Sequence, residues 1–100
     1  MVLSEYLNRL QEVASKLGLE LPVQWQGVDA VMPLIDRIRN DGSVFIIKFD
    51  GQRTHEDDTG QITVLVSGES LGDDPIRVDS VTLEGGLSFA LVKYAERVWF

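Results

Sequence analysis

The 100-residue sequence contains no cysteine and only one histidine. Without cysteine, the chain has no disulfide, no thiolate metal site and no cysteine nucleophile. Basic residues are also scarce, because 9 Lys and Arg stand against 16 Asp and Glu and give a formal net charge of -7. Nucleic-acid binding needs a concentrated basic surface that displaces phosphate counterions, so this charge balance argues against it.

Long apolar runs are absent as well. The two longest, 44–47 and 62–66, are far shorter than the roughly 20 residues of a membrane helix. The first residues carry Glu5 and Arg9 and lack the basic start and apolar stretch of a secretory signal. We therefore expect a cytoplasmic protein with no membrane partner, and the chain length indicates a single domain over residues 1–100.

Two N-terminal helices are predicted from the spacing of apolar residues. The first covers 4–17, with Ser4 placed to cap it and Gly18 to end it in a left-handed conformation. The second covers 28–39. Because a proline is tolerated only in the first turn, Pro33 requires either a start near the beginning of this segment or a new start at the proline itself.

The last helix is predicted to end at Val98 or Trp99. An early start, capped by Ser80 or Thr82, places two glycines in the first turns at a cost of about 1 kcal/mol each relative to alanine. A later start at Ser88 avoids that cost but leaves two leucines of the apolar stripe outside the helix. The stripe favours the early start.

Three strands are predicted between the second and last helices, over 44–49, 62–66 and 76–78. The turn between the first two is placed at 57–60, and Asp50-Gly51 is predicted to form a bulge or bend instead of the hairpin tip. The order helix, helix, strand, strand, strand, helix predicts an α+β fold in which a three-stranded antiparallel meander packs with helices.

The first strand is apolar on both sides, whereas a sheet covered on one face alternates apolar and polar residues. Val44 and Ile46 point to its second side, and Leu65 of the next strand joins them there. Either a helix of this chain or another chain covers this second apolar face. Trp99 and Phe100 add weight to the second explanation, because large aromatic residues are enriched at interfaces. These five residues are the predicted interface of a homo-oligomer or of a complex with a protein partner.

No motif in the sequence reaches a catalytic or metal-binding arrangement. His55 with Glu56 or Asp58 falls short of the three convergent ligands that transition-metal sites usually need, and no nucleophile accompanies it. The carboxylates do not form the spaced calcium loop. The segment 68–72 contains glycine but lacks the dinucleotide and phosphate-loop signatures. The sequence therefore predicts no catalytic residue, no metal, no cofactor and no enzymatic activity.

Several short stretches of the C-terminal half form a recognisable set. They are Lys48-Phe49-Asp50-Gly51, Ser67-Gly68, Leu71-Gly72, Leu83-Glu84, Tyr94-Ala95 and Val98-Trp99. The set resembles small acidic proteins of unknown function from the mobile gene cassettes of bacterial integrons, and the resemblance covers about half the chain. It implies a compact cytosolic domain, carries over no active site, and favours a last helix that opens at Leu83-Glu84.

Three classes of function stay open, and a non-enzymatic interaction protein is the leading one. It would self-associate or bind a protein partner; in one version its acidic surface neutralises a basic toxin. The second class is a small-molecule-binding domain with a site between helices and sheet or at a dimer seam, lined by Tyr6, Trp25 and Trp99. The third is an enzyme that uses carboxylates together with His55.

Overall fold

A computed structural model describes residues 3–53 and 60–100. The order of its elements is the predicted one, and its three strands form an antiparallel sheet in the order β1-β2-β3, so the predicted α+β fold is confirmed. The elements are α1 (Leu3–Lys16), α2 (Met32–Asn40), β1 (Val44–Phe49), β2 (Ile62–Ser67), β3 (Ile76–Ser80) and α3 (Leu83–Tyr94).

Helix α1 agrees with the prediction at its end but not at its start. It begins at Leu3, so Ser4 lies inside the helix and the predicted cap at Ser4 is wrong. At the other end, Gly18 has a φ of 73°, and the amide of Leu19 donates to the carbonyl of Ala14 at 2.9 Å. A left-handed glycine and a hydrogen bond five residues back are how helices close on a glycine, which confirms the predicted end.

The second helical segment breaks ahead of its proline. Val28–Val31 forms one 3₁₀ turn, and α2 then starts at Met32 with Pro33 in its first turn. A proline in that position lacks only an amide that would have no helical acceptor, so it costs little. Of the two starts that the sequence left open, the new start at the proline is the one observed.

Strand β1 has its predicted bounds, and β2 and β3 extend past their predicted ends to Ser67 and Ser80. After β1, the amide of Gln52 donates to Oδ1 of Asp50 at 3.0 Å. The amide of Arg53 also donates to the carbonyl of Asp50 at 3.2 Å, so Asp50-Gly51 begins a hydrogen-bonded turn, whereas a bulge or bend was predicted there. The segment 54–59, which holds most of the predicted hairpin turn and His55 with its neighbouring carboxylates, lies outside the described residues.

Helix α3 is the buried centre of the fold. It starts at Leu83, and Oγ1 of Thr82 accepts a hydrogen bond from the amide of Gly85 at 3.1 Å, which confirms the early start. The helix packs against β2 and β3 on one side and against α1 on the other. A Cβ at Gly86 would lie 3.1 Å from Cγ2 of Val64, so this glycine lets the helix approach the sheet closely.

The core lies between the helices and one face of the sheet. In the sheet, the buried apolar side chains alternate with less buried ones, as expected when the helices cover a single face. The buried apolar residues that contact one another in this core are Leu10, Val13, Trp25, Val31, Leu34, Ile38, Val64, Val66, Leu71, Ile76, Val78, Leu87, Ala90, Leu91, Val92, Tyr94 and Ala95.

The chain continues past α3 in a turn wider than an α-helix. Ala95–Trp99 forms a π-helical turn, in which the amide of Phe100 donates to the carbonyl five residues back at 2.9 Å. From this turn the guanidinium of Arg97 donates to the carbonyl of Leu71 at 3.1 Å and to that of Asp74 at 2.9 Å. The turn is thereby tied to the loop that precedes β3.

A second set of polar contacts ties the same turn to the loop that precedes β1. Oδ2 of Asp41 accepts hydrogen bonds from Nε1 of Trp99 at 2.8 Å and from the hydroxyl of Tyr94 at 3.0 Å. The Tyr94 hydroxyl also lies 3.0 Å from Oγ of the buried Ser43. The ring of Trp99 stands edge-on to that of Tyr94, and the guanidinium of Arg37 lies 5.2 Å from the centroid of the Trp99 ring. We call these contacts the Asp41 network.

The substitution Tyr94→Phe tests this network. It removes the hydroxyl shared by Asp41 and Ser43 and leaves the buried Ser43 hydroxyl without that partner. We expect the free energy of unfolding to fall by about 1–2 kcal/mol, measured by urea denaturation. The control is Tyr6→Phe, which removes the same atom from a half-buried ring and should change stability by less than about 0.5 kcal/mol. Equal losses in the two variants would contradict the network.

Candidate functional site at the open face and edges of the sheet

The sheet face opposite the helices, which we call the open face, carries an exposed apolar patch. Val44 is 52% and Ile46 is 46% exposed, and Leu65, which pairs with Ile46, is half-buried beside them. The helices that contact the sheet pack against its other face, where Val64 and Val78 are buried. Of the two covers that the sequence left open for this patch, a helix of the same chain is not observed within residues 3–53 and 60–100.

The other half of the open face is polar and internally paired. Oδ1 of Asp79 accepts a hydrogen bond from Oγ1 of Thr63 at 2.6 Å, and it lies 3.2 Å from Nη1 of Arg53 and 3.6 Å from Nη2 of Arg77. The hydrogen bond from Thr63 and the two guanidinium groups hold the pKa of Asp79 below its usual value, although partial burial acts in the opposite sense.

Asp50 extends this paired region towards the end of β1. Its Oδ2 lies 3.5 Å from Nζ of Lys48 and 3.6 Å from Nε of Arg53. The backbone amide of Gln52 lowers the pKa of the Asp50 carboxyl, and Lys48 and Arg53 act in the same direction. The charges of the polar half are therefore matched by their neighbours, and the apolar half is the part that has no covering element among the described residues.

The outer edge of β1 presents backbone groups that pair with no strand of the described chain. The amide of Asp50 donates to the carbonyl of Gln61 at 2.7 Å, which makes these two residues a hydrogen-bonded pair of the antiparallel ladder. Bonded and non-bonded pairs alternate along such a ladder. By the register of β1 and β2, the N–H and C=O groups of Phe45, Ile47 and Phe49 therefore point away from β2. No described strand pairs with this edge.

The same alternation determines which groups face outward on β3. Val64 uses its backbone groups toward β3, so its partner Val78 is hydrogen-bonded to it. The N–H and C=O groups of Arg77 and Asp79, which lie one position to either side, consequently point away from β2. This second edge also has no strand partner among the described residues.

Strand β1 combines its free edge with apolar side chains on both faces. Phe49 is 65% exposed on the side where the helices lie, while Val44 and Ile46 are exposed on the other. Natural proteins blunt such edges with charged residues, proline, bulges or a covering element, because a free apolar edge templates pairing with another chain. Lys48 is the single charged residue within β1.

The structure separates the five residues of the predicted interface. It brings Val44, Ile46 and Leu65 together on the open face. Trp99 instead belongs to the Asp41 network, next to helices α2 and α3. Phe100 is exposed beside α1, where Nζ of Lys16 lies 4.8 Å from its ring centroid.

Tyr6 and Trp25, the aromatic residues predicted to line a ligand pocket, are not among the residues that line two surface grooves of the described chain. Trp25 is 6% exposed and belongs to the core, and Tyr6 stands edge-on to Phe89 with ring centroids 4.8 Å apart. Neither lines the groove of about 200 Å³ between α1 and the final turn, nor the groove of about 190 Å³ between β3 and α3.

The groove between β3 and α3 holds residues that the sequence analysis missed. Lys93 and Arg97 are four positions apart, a spacing that places two side chains on one side of a helix and could have drawn attention to them. Their meeting with Arg77 depends on the tertiary fold. The groove is lined by Pro75, Ile76, Arg77, Phe89, Lys93 and Arg97.

Comparisons with known proteins add no assignment to these surfaces. The chain matches no family model, no curated protein and no solved structure. The resemblance to integron-cassette proteins therefore stays a prediction. Within the described ranges, no cluster of three or more His, Asp or Glu side chains could hold a metal ion, and none of the helices has the length and apolar content needed to cross a bilayer.

The substitution Asp79→Asn tests the polar half of the open face. Because the pKa of Asp79 is lowered in the folded state, its carboxylate stabilises the fold above the unfolded pKa, and this stabilisation is lost as the pH falls through the folded pKa. We expect the variant to lose about 1 kcal/mol of stability near pH 7. The difference from the wild type should shrink below about pH 4.

Urea denaturation at a series of pH values measures this difference. Asp73→Asn makes the same change of charge at an exposed loop position and should stay within about 0.5 kcal/mol of the wild type. A loss at Asp79 that is the same at every pH would show that the carboxylate charge contributes nothing.

Proposed function

We propose that the protein is a cytoplasmic, non-enzymatic interaction protein that self-associates through strand β1. The observation that carries the proposal is the exposure of Val44, Ile46 and Phe49 along a strand whose outer backbone groups have no partner in the described chain. Another strand placed there would pair those backbone groups and cover apolar side chains on both faces.

A second copy of β1 suits this edge because an antiparallel pairing about a two-fold axis is self-complementary. When the pairing is centred on Ile47, the two copies of Ile47 face each other and Phe45 of each copy faces Phe49 of the other. These are the three residues of β1 with outward backbone groups, so all of them form hydrogen bonds across the axis. Two three-stranded sheets then become one continuous sheet.

The same register also gives favourable side-chain contacts on the open face. It sets Ile46 of each copy opposite Lys48 of the other, where the aliphatic stem of the lysine covers the isoleucine while its ammonium stays in water. Phe49, the most exposed apolar residue of the strand, gains an aromatic neighbour on the side of the helices.

Net charge distinguishes this function from binding to a basic toxin. Two copies that each carry a net charge of -7 repel one another, so added salt strengthens their association by screening. An acidic protein that is steered onto a basic partner shows the opposite behaviour and binds more weakly as salt rises.

The substitution Phe49→Asp tests the self-association. It puts a carboxylate at the free edge of β1, and we expect the dimer dissociation constant to rise at least about tenfold. Molar mass from light scattering across a concentration series gives this constant. The control is Val23→Asp, since Val23 is 85% exposed in the connection between α1 and α2, outside the sheet.

Both substitutions are at exposed positions, so we expect both variants to stay folded. Thermal melts followed by circular dichroism test this. A wild-type chain that remains monomeric at every concentration would overturn the proposal. So would a Val23→Asp variant that dissociates as readily as Phe49→Asp.

A further inference from the structure

The groove between β3 and α3 is a cationic site on an acidic protein. Three of the nine Lys and Arg residues, namely Arg77, Lys93 and Arg97, line it, and no acidic residue of the described ranges 3–53 and 60–100 is among its lining. Its volume of about 190 Å³ is smaller than the roughly 300–1,000 Å³ of pockets that enclose drug-sized ligands. A groove of this size suits one apolar side chain and an adjoining anionic group better than a whole cofactor.

Lys93 is the cation of the groove with the most bonding capacity left. Its ammonium lies 5.6 Å from the ring centroid of Tyr6 and 5.7 Å from that of Phe89, and it forms no ion pair with a carboxylate of the described chain. Arg77 lies beside Asp79. The guanidinium of Arg97 is held by two main-chain carbonyls of the loop before β3 and lies 3.7 Å from Oδ2 of the exposed Asp74, so its position is fixed and its charge already has a carboxylate neighbour.

Strand β3 supplies backbone partners along the same groove. The outward N–H and C=O groups of Arg77 and Asp79 have no strand partner among the described residues, and an extended peptide laid along β3 would pair with them. Arg97 reaches the carbonyl of Asp74, so the positive charges lie toward the start of β3. A negatively charged group of such a peptide is therefore expected near Pro75, at the end of the groove where β3 starts.

We propose that this groove binds the free C-terminus of an extended partner peptide whose last residue is apolar. The peptide adds to β3 as an antiparallel fourth strand, its terminal carboxylate meets the ammonium of Lys93, and its last side chain packs against Ile76 and Phe89. A single carboxylate matches the local charge, whereas a long acidic segment would be repelled by the net charge of -7.

This site is independent of the self-association proposed above, because it uses the opposite edge of the sheet. The peptide should therefore bind the Phe49→Asp variant as tightly as it binds the wild type. Competition between peptide binding and self-association would overturn the assignment to β3.

The probe is a fluorescein-labelled hexapeptide of alternating threonine and serine that ends in valine with a free carboxylate. Fluorescence anisotropy measures its affinity beside that of the same peptide with an amidated end. We expect amidation to weaken binding about tenfold, because the charge-assisted bond to Lys93 is lost. No binding of the free-acid peptide, or equal affinity of the two peptides, would overturn the proposal.

Acetylvaline distinguishes a peptide from a small carboxylic acid, since it carries the carboxylate and the side chain but cannot extend along β3. It should displace the peptide only at concentrations about a hundredfold higher than the unlabelled peptide needs. Displacement at equal concentration would show that the groove takes small carboxylates without strand addition, and the peptide proposal would fail.

The substitution Lys93→Gln tests whether Lys93 binds the terminal carboxylate, and Lys16→Gln is its matched control. Both variants lose one positive charge from a helix, but Lys16 lies on α1 beside Phe100. We expect Lys93→Gln to weaken the free-acid peptide about tenfold and the amidated peptide little, with Lys16→Gln unchanged. Equal effects of the two variants would contradict a local role for Lys93.

Amide chemical shifts give a readout that is independent of any substitution. Addition of the free-acid peptide should shift the amides of Arg77 and Asp79 more than those of Phe45 and Ile47, because hydrogen bonds form at the outer edge of β3. Larger shifts along β1 would overturn the proposed site.

Discussion

The close packing of α3 against the sheet is the contact on which the rest of the structure depends. Gly86 lets the helix approach Val64 and Ser80, and most of the helix is buried. Because α3 takes the place directly above β2 and β3, α1 packs on α3, and α2 contacts β1. All three helices are then used on one side, so the opposite face of the sheet has no described helix to cover it.

The two edges of the sheet differ in chemistry, and this difference separates the two proposals. The β1 edge is bordered by apolar side chains on both faces, and a like strand complements it. The β3 edge is bordered by the cations of the groove and by the ion pairs around Asp79. A sheet with unlike edges can hold a second copy at one edge and a different partner at the other, so the two associations need not compete.

The fold was largely predictable because its signals are local. Gly18 ends α1 and Pro33 restarts α2 through their own backbone preferences, and the strand order then determines an α+β meander. Whether a helix of this chain or another chain covers Val44 was not predictable, because the sequence pattern of an apolar residue is the same in both cases. The groove was missed for a related reason: Lys93 and Arg77 meet only after α3 has folded back along β3.

The π-helical turn Ala95–Trp99 determines where its own side chains point. Each residue rotates a helix by roughly 100°, so the extra residue of a π turn redirects every side chain that follows it. Here Arg97 donates a hydrogen bond to the loop before β3, and Trp99 donates one to the loop before β1. Both loops lie at the same end of the sheet because β1 and β3 both run antiparallel to β2. Deleting one residue from the turn would rotate Arg97 and Trp99 away from their hydrogen-bond acceptors in the two loops. The number of residues in this turn therefore matters as much as their identity.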